Sequence, residues 1–245
     1  MPLRRLTSFL AGPHAPMRAL GALGLLACGG EGSREREVPP AMAGSGLTPM
    51  LAMEMGGIDE DGELVLDELT DGDASFASGG ISGEWFTYSD GTRELTPPDH
   101  TGLPSVDGEA HVSGQGFSEW GAGVSAYFRS ANLSAFERLR LRVRGAGSIV
   151  VEIATPATSP TDEGGTCMGA GCFGHFAGTV ELTEQYQDFD LPFSSFAQPS
   201  WAQPAELSLD GVISINLVAK VVGGVANIDL WVDRLSLHAA PADAP

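Results

Sequence analysis

From about residue 58 the chain falls into short runs in which every second residue is apolar, separated by Gly, Pro, Asp and Asn. A period of two is the pattern of strands with one buried face, and many such runs with frequent breakers predict an all-β fold, a jelly-roll β-sandwich. Strands are predicted over residues 83–88, 110–113, 123–128, 178–183, 187–191, 212–219 and 228–237. In the last run Ile228, Leu230 and Val232 share a face, and then the apolar phase moves to Leu235 and Leu237. Such a flip predicts a bulge or bend near Asp233 and Arg234. No amphipathic helix longer than a turn or two is predicted.

Between 137 and 154 the pattern suggests a hairpin. If Gly145, Ala146 and Gly147 form the turn, Val143 faces Ile149, Leu141 faces Val151 and Leu139 faces Ile153, so each apolar residue meets another across the ladder. That register gathers Arg138, Arg140, Arg142 and Arg144 on the other face, with Glu152 opposite Arg140. The row could grip an acidic glycan, because guanidinium forks suit carboxylates. The simpler reading is a solvated face paired with Glu152 and with acids of the next strand.

Ahead of these runs, Arg4, Arg5 and Arg18 precede a short apolar stretch that ends Leu25-Leu26-Ala27-Cys28. The stretch is too short to span a bilayer and resembles a bacterial lipoprotein signal. The resemblance implies that residues 1–28 are a signal peptide and that a diacylated Cys28 becomes the mature N-terminus. Gly29, with no aspartate after the cysteine, resembles the pattern of lipoproteins passed to the outer membrane of Gram-negative bacteria. A lipid-anchored cell-envelope protein is expected, touching the membrane through the lipid only. Residues 29–57 mix Gly, Pro and small residues without period and read as a flexible linker. The domain is expected over 58–238, with an Ala/Pro-rich tail over 239–245.

The chain has 13 basic and 32 acidic residues, a formal charge of −19. Without residues 1–28 ten basic residues remain against the same acids, a charge of −22. So acidic a surface argues against nucleic acid as a partner. With Cys28 taken by lipid, Cys167 and Cys172 form an even pair in an oxidising compartment and read as a disulfide. Two cysteines alone cannot close a tetrahedral zinc site, and no CxxC or HExxH accompanies them.

Six segments in order carry a family resemblance: LDELTDGD (66–73), GEWFTYSDGT (83–92), GQGFSEWGAG (114–123), NLSAFERLRLRVRG (132–145), DFDLPFSSFAQPSW (188–201) and IDLWVDRLSL (228–237). They resemble the galactose-binding-like jelly rolls of carbohydrate-binding module family 11. They are also similar to complex I intermediate-associated protein 30, and to domains of lipoproteins of the myxobacterial type. In such jelly rolls a structural calcium often ties the first strand to the last. Carried over, that implies Glu68, Asp71 or Asp73 and Asp233 as Ca²⁺ ligands, although Leu69 and Thr70 spread the acids. A rival pattern is an EF-hand loop, with Asp59, Asp61, Gly62, Leu64 and Glu68 at positions 3, 5, 6, 8 and 12. There Gly57 takes the first position, where a carboxylate belongs, and the flanks are not helical.

A saccharide ligand needs flat rings for its C–H faces and a few amides or carboxylates for its hydroxyls. Trp85, Tyr88, Trp120, Tyr127, Tyr186, Trp201 and Trp231 are the ring candidates. Trp120 and Trp201 stand out among Gly, Ser, Pro and Gln, with Glu119 and Gln198 as polar companions and Tyr88 as a further platform. Trp231 fits better as support for the last strand. There is no GxSxG elbow and no histidine motif, and no carboxylate pair is singled out for glycoside hydrolysis. The expected function is therefore a non-catalytic carbohydrate-binding module for a glucan-type polysaccharide or oligosaccharide. The alternatives are a protein-interaction or assembly module using the arginine row, and a glycoside hydrolase.

Overall fold

The computed structural model describes residues 57–103, 105–106 and 109–239. The signal over 1–28 with Cys28, the linker up to residue 56 and the tail beyond Ala239 lie outside them. In chain order the strands are β1 (Glu63–Asp67), β2 (Ser75–Ser78), β3 (Ile81–Ser89), β4 (Leu95–Thr96), β5 (Ser105–Val106) and β6 (Glu109–Phe117). There follow β7 (Gly121–Ala131), β8 (Phe136–Gly145), β9 (Ser148–Ala154), β10 (Phe176–Glu181), β11 (Gln187–Pro192), β12 (Val212–Lys220) and β13 (Ala226–Ala239). The helical elements among the described residues are two 3₁₀ turns, Thr161–Glu163 and Phe193–Ser195.

The strands form two antiparallel sheets, as the period of two predicts. One runs β11-β8-β13-β6-β4, with β1 on β13 and β5 on β6; the other runs β10-β9-β12-β7-β3-β2. Their inner faces carry Leu139, Leu141 and Val143 of β8, Ile149, Val151 and Ile153 of β9, and Ile215 and Leu217 of β12, all nearly fully buried. Each such side chain contributes roughly 1.5–3 kcal/mol by leaving water. In β13 the bulge falls where the phase flips: Val232 pairs with Val143 and Arg234 with Arg142, so Asp233 is the extra residue.

The hairpin expected over 137–154 does not form. β8 pairs with β11 and β13, β9 with β10 and β12, and the Gly145–Gly147 corner carries the chain from one sheet to the other. The apolar rows of the two strands both point into the sandwich, and an interleaved interior satisfies them as well as a shared ladder would. Glu152 therefore does not meet Arg140. It lies on the opposite outer face of the molecule, in ion-pair contact with Lys220.

The arginine row lies on the outer face of the seven-stranded sheet. Arg138 meets Asp190 at 3.0 Å, and Arg142 meets Asp188 at 3.2 Å and Asp233 at 2.7 Å. Arg144 meets Glu109 at 3.3 Å and covers the Trp231 ring at 4.1 Å. Acids of β11, together with Glu109 of β6, Asp233 of β13 and Glu63 of β1, thus pair with the row, which matches the solvated reading except for Glu152, and each exposed pair contributes about 0–1 kcal/mol. Trp231 also stacks on His111 at 3.9 Å, a supporting position on the last strand.

The donors named for calcium do not converge. Glu68 pairs with Arg234, and Asp233 pairs with Arg142. Asp71 accepts the Asp73 amide, and Asp73 accepts the amide and hydroxyl of Ser75. Among the described residues, no group of three or more His, Cys, Asp or Glu side chains could hold a metal ion. The EF-hand pattern is a tight turn instead: Asp59 caps the amides of Asp61 and Glu63, and Leu64 is a core residue of β1.

Candidate functional site

The outer face of the six-stranded sheet forms the floor of a groove of about 930 Å³. Its construction follows from register. On the central rung Phe86 of β3 pairs with Ser125 of β7, Ser125 with Asn216 of β12, and Asn216 with Glu152 of β9. On one side lies the rung of Glu84, Tyr127, Ser214 and Ala154; on the other lies Tyr88, Gly123, Val218 and Val150. Alternation turns all of these away from the core, so each strand offers a row of outward positions to the same concave surface.

Gly123 makes room within the floor. A Cβ there would lie 2.5 Å from the Leu217 carbonyl oxygen and 3.2 Å from the Tyr88 ring. The tyrosine lies over the strand where no side chain intervenes, and it stacks on Trp120 at 5.5 Å. Its hydroxyl is buried and has no hydrogen-bond partner among the described residues. Burial pushes the Tyr88 phenol well above its ordinary range, and the charges of Glu152 and Glu163 act the same way, so it keeps its proton.

Polar groups of the floor are held in place by one another. The Ser125 hydroxyl donates to the Asn216 side-chain oxygen at 2.7 Å, so the amide nitrogen is what Asn216 has left to offer. Lys220 donates to Glu152 at 3.0 Å, and the Glu152 side chain is only 10 % exposed. Burial raises the Glu152 carboxyl above its ordinary range, partly offset by Lys220. His175 makes a 2.9 Å hydrogen bond with the Thr158 hydroxyl, and burial, aided by Lys220, lowers its imidazole to about 4. It is neutral at physiological pH.

The pair yields a signed prediction. Because the folded-state pKa of Glu152 is raised, its ionised form opposes folding at neutral pH, and that opposition fades as pH falls towards the ordinary value of 4.5. Lys220→Met removes the compensating cation and raises the pKa further. With Lys220 itself partly exposed, a loss of about 1–3 kcal/mol is expected at neutral pH, shrinking on acidification. Urea midpoints at about pH 7 and pH 5 check it. A deficit equal at both, or unrelieved by adding Glu152→Gln, contradicts the account.

Two tryptophans stand at the rim. Trp120 is 41 % exposed and Trp201 60 % exposed, the positions that their Gly/Ser/Pro-rich surroundings suggested. The Trp120 loop is fixed by Asp90. Burial of that carboxyl is outweighed by hydrogen bonds from the Thr92 hydroxyl and from the amides of Thr92, Glu119 and Gly121, which hold it at about 2. Glu119 serves here through its backbone; its side chain is exposed and does not line the groove.

The loop of Trp201 is tied to the cysteine loop. The Gln198 amide donates to the carbonyls of Gly174 and Gln203, and its oxygen accepts the Ala205 amide. Gln198 is thus a staple for the loop, with its amide already taken, where direct contact with ligand was expected. Gln203 in turn donates to the Gly171 carbonyl, inside the loop closed by the Cys167–Cys172 disulfide. The disulfide therefore braces the wall from which Phe173, half exposed, enters the groove beside Trp201.

Sequence reasoning named Trp120, Trp201 and Tyr88, and the structure brings all three to one groove. It missed Glu84, Ser125, Glu152, Asn216 and Lys220. Their signal was present, as polar residues in the outward phase of apolar strands, but such phases also describe any solvated sheet face.

No protein-family profile matches this chain, and no curated protein matches it in sequence. Solved structures do match in fold. The family 11 carbohydrate-binding module of the cellulosomal cellulase Lic26A-Cel5E of Clostridium thermocellum is similar over 76 % of this chain and its own whole length, at 18 % identity and a TM-score of 0.52. A family 11 module from the same organism, in complex with a β-1,3-1,4-mixed-linked tetrasaccharide, matches over 64 % of this chain and 89 % of its own, at 21 % identity and a TM-score of 0.47. A single-site variant of a family 29 carbohydrate-binding module matches over 75 % of this chain and 96 % of its own, at 14 % identity and a TM-score of 0.42. The chain has an all-β, two-sheet antiparallel sandwich fold similar to that of the family 11 module.

Proposed function

We infer that the domain is a non-catalytic carbohydrate-binding module and that its groove holds a β-linked, glucan-type chain. The observation that carries this is the pairing of exposed rim rings, Trp120 and Trp201, with a floor of Phe86, Tyr88 and Tyr127 and an ordered Ser125–Asn216 pair. Rings match the C–H faces of pyranoses, and the amide, hydroxyl and carboxylate groups match their hydroxyls. The fold shared with a family 11 module supports the same reading. The lipid on Cys28 would hold the module at the outer membrane.

The test is a binding screen against soluble β-glucans and cello-oligosaccharides, followed by tryptophan emission and run with and without EDTA. Ligand should quench and shift the emission, because two of the four tryptophans stand exposed at the groove. Chelation should leave binding unchanged, because the acids named for calcium are engaged with arginines or turn amides. No binding to any glucan removes the proposal and turns attention to a protein partner.

A further inference from the structure

The two faces of the sandwich differ in charge in a way that bears on the ligand. Five of the protein's arginines (Arg138, Arg140, Arg142, Arg144 and Arg234) lie on the seven-stranded face, each beside at least one acid. The groove face is lined by Glu84, Glu152, Asp162 and Glu163, with Lys220 as its one fixed cation and His100 at the rim. Lys220 is spent on Glu152. Glu84, Asp162 and Glu163 are exposed and have no ion-pair partner among the described residues. Glu84 rises from β3, and the other two come from the loop after β9, so carboxylates reach the groove from both sides of its floor.

This acidity coincides with a second feature that a cation uses: Phe86, Tyr127, Trp120 and Trp201 line the same groove, and aromatic rings attract ammonium groups as well as sugar C–H faces. Uncompensated carboxylates repel uronic acids and sulfated sugars, and they form charge-assisted hydrogen bonds with ammonium groups.

Resting on the reading of the groove as a glucan-type site, we propose that it selects an amine-bearing chain, a β-linked polymer of glucosamine, over the neutral glucan of the same length. The ammonium groups lie between Glu84 and the Asp162–Glu163 pair, while the rings stack on the pyranoses as they would on glucose. Exposed charge pairs of this kind contribute modestly one by one, and three together correspond to about a tenfold preference at low salt.

The experiment compares cellohexaose with the fully deacetylated glucosamine hexamer on the full chain, at about pH 6, where sugar amines are protonated and ordinary carboxylates ionised. The glucosamine hexamer is expected to bind about tenfold tighter at low ionic strength, with the preference falling severalfold in roughly 0.5 M salt. The double variant Asp162→Asn, Glu163→Gln, on the loop beside the floor, should lose most of the preference while retaining cellohexaose binding and thermal midpoint. Cellohexaose bound as tightly as the glucosamine hexamer, or a preference that survives the double variant, overturns the proposal and leaves the glucan reading standing. Failure of both hexamers to bind overturns that reading itself, and this proposal with it.

Discussion

Replacing Trp120 and Trp201 together with alanine should reduce glucan binding by about three orders of magnitude and leave the fold intact. Each ring is a large, rigid apolar surface at the groove rim, and a central aromatic contact of this kind costs about 2 kcal/mol when truncated. If the two act independently, the losses add to about 4 kcal/mol, a factor near 1000. They come from loops on separate parts of the chain, Trp120 fixed by Asp90 and Trp201 stapled by Gln198, so neither supports the other. Stability should change little at Trp201, which is 60 % exposed, and fall by about 1–2 kcal/mol at Trp120, which is 41 % exposed and stacks on Tyr88. Trp120 is the more telling single variant, since its removal uncovers Tyr88. Titration calorimetry with a soluble β-glucan reads the affinity, and thermal denaturation reads the fold. Binding within a few-fold of wild type in the double variant would place the ligand elsewhere on the molecule.

Those tryptophans were visible in the sequence because a loop ring surrounded by Gly, Ser and Pro has no core to enter. The strands were visible for a similar reason, since a half-buried strand must alternate. Even the Asp233 bulge announces itself, because the apolar residues of β13 cannot all face one core without an extra residue. What alternation cannot carry is partnership. The rung Phe86, Ser125, Asn216 and Glu152 draws on four strands separated by long stretches of chain, and only the sheet order makes these residues neighbours. Glu152 shows the cost of guessing that order. Its assigned partner, Arg140, belongs to the other sheet, and its real partner, Lys220, lies near the end of β12. Gln198 and Glu119 show a second blind spot. Polar residues beside an exposed ring look like ligand contacts, yet loops need internal hydrogen bonds before they can present a ring at all; here Gln198 supplies them with its side chain and Glu119 with its backbone amide.

The corner at 145–147, where the chain leaves one sheet for the other, makes the strongest stability prediction. Gly145 ends β8 with φ +150°, and a Cβ there would fall 1.9 Å from the Asp229 carbonyl oxygen of the adjoining strand. Its amide donates to Thr183 at 2.8 Å, and the Ala146 amide donates to that same Asp229 carbonyl at 3.0 Å, so the backbone cannot back away without breaking the corner. Gly145→Ala should therefore cost about 3–5 kcal/mol, the combined effect of a steric overlap, an unfavourable dihedral and lost hydrogen bonds. For a domain of this size that is a fall of about 10–15 °C in thermal midpoint. Gly147, two residues on, is the internal control. Its φ is +80°, but a Cβ would meet nothing within 4 Å, so Gly147→Ala carries only the left-handed penalty of about 1–2 kcal/mol. In a three-residue hairpin turn of the kind the pattern suggests, both glycines would be there for their dihedrals, and the two substitutions would cost alike. A clear excess for Gly145 is the signature of a chain pressed against a neighbouring strand as it crosses between sheets, and equal costs would refute the crossing.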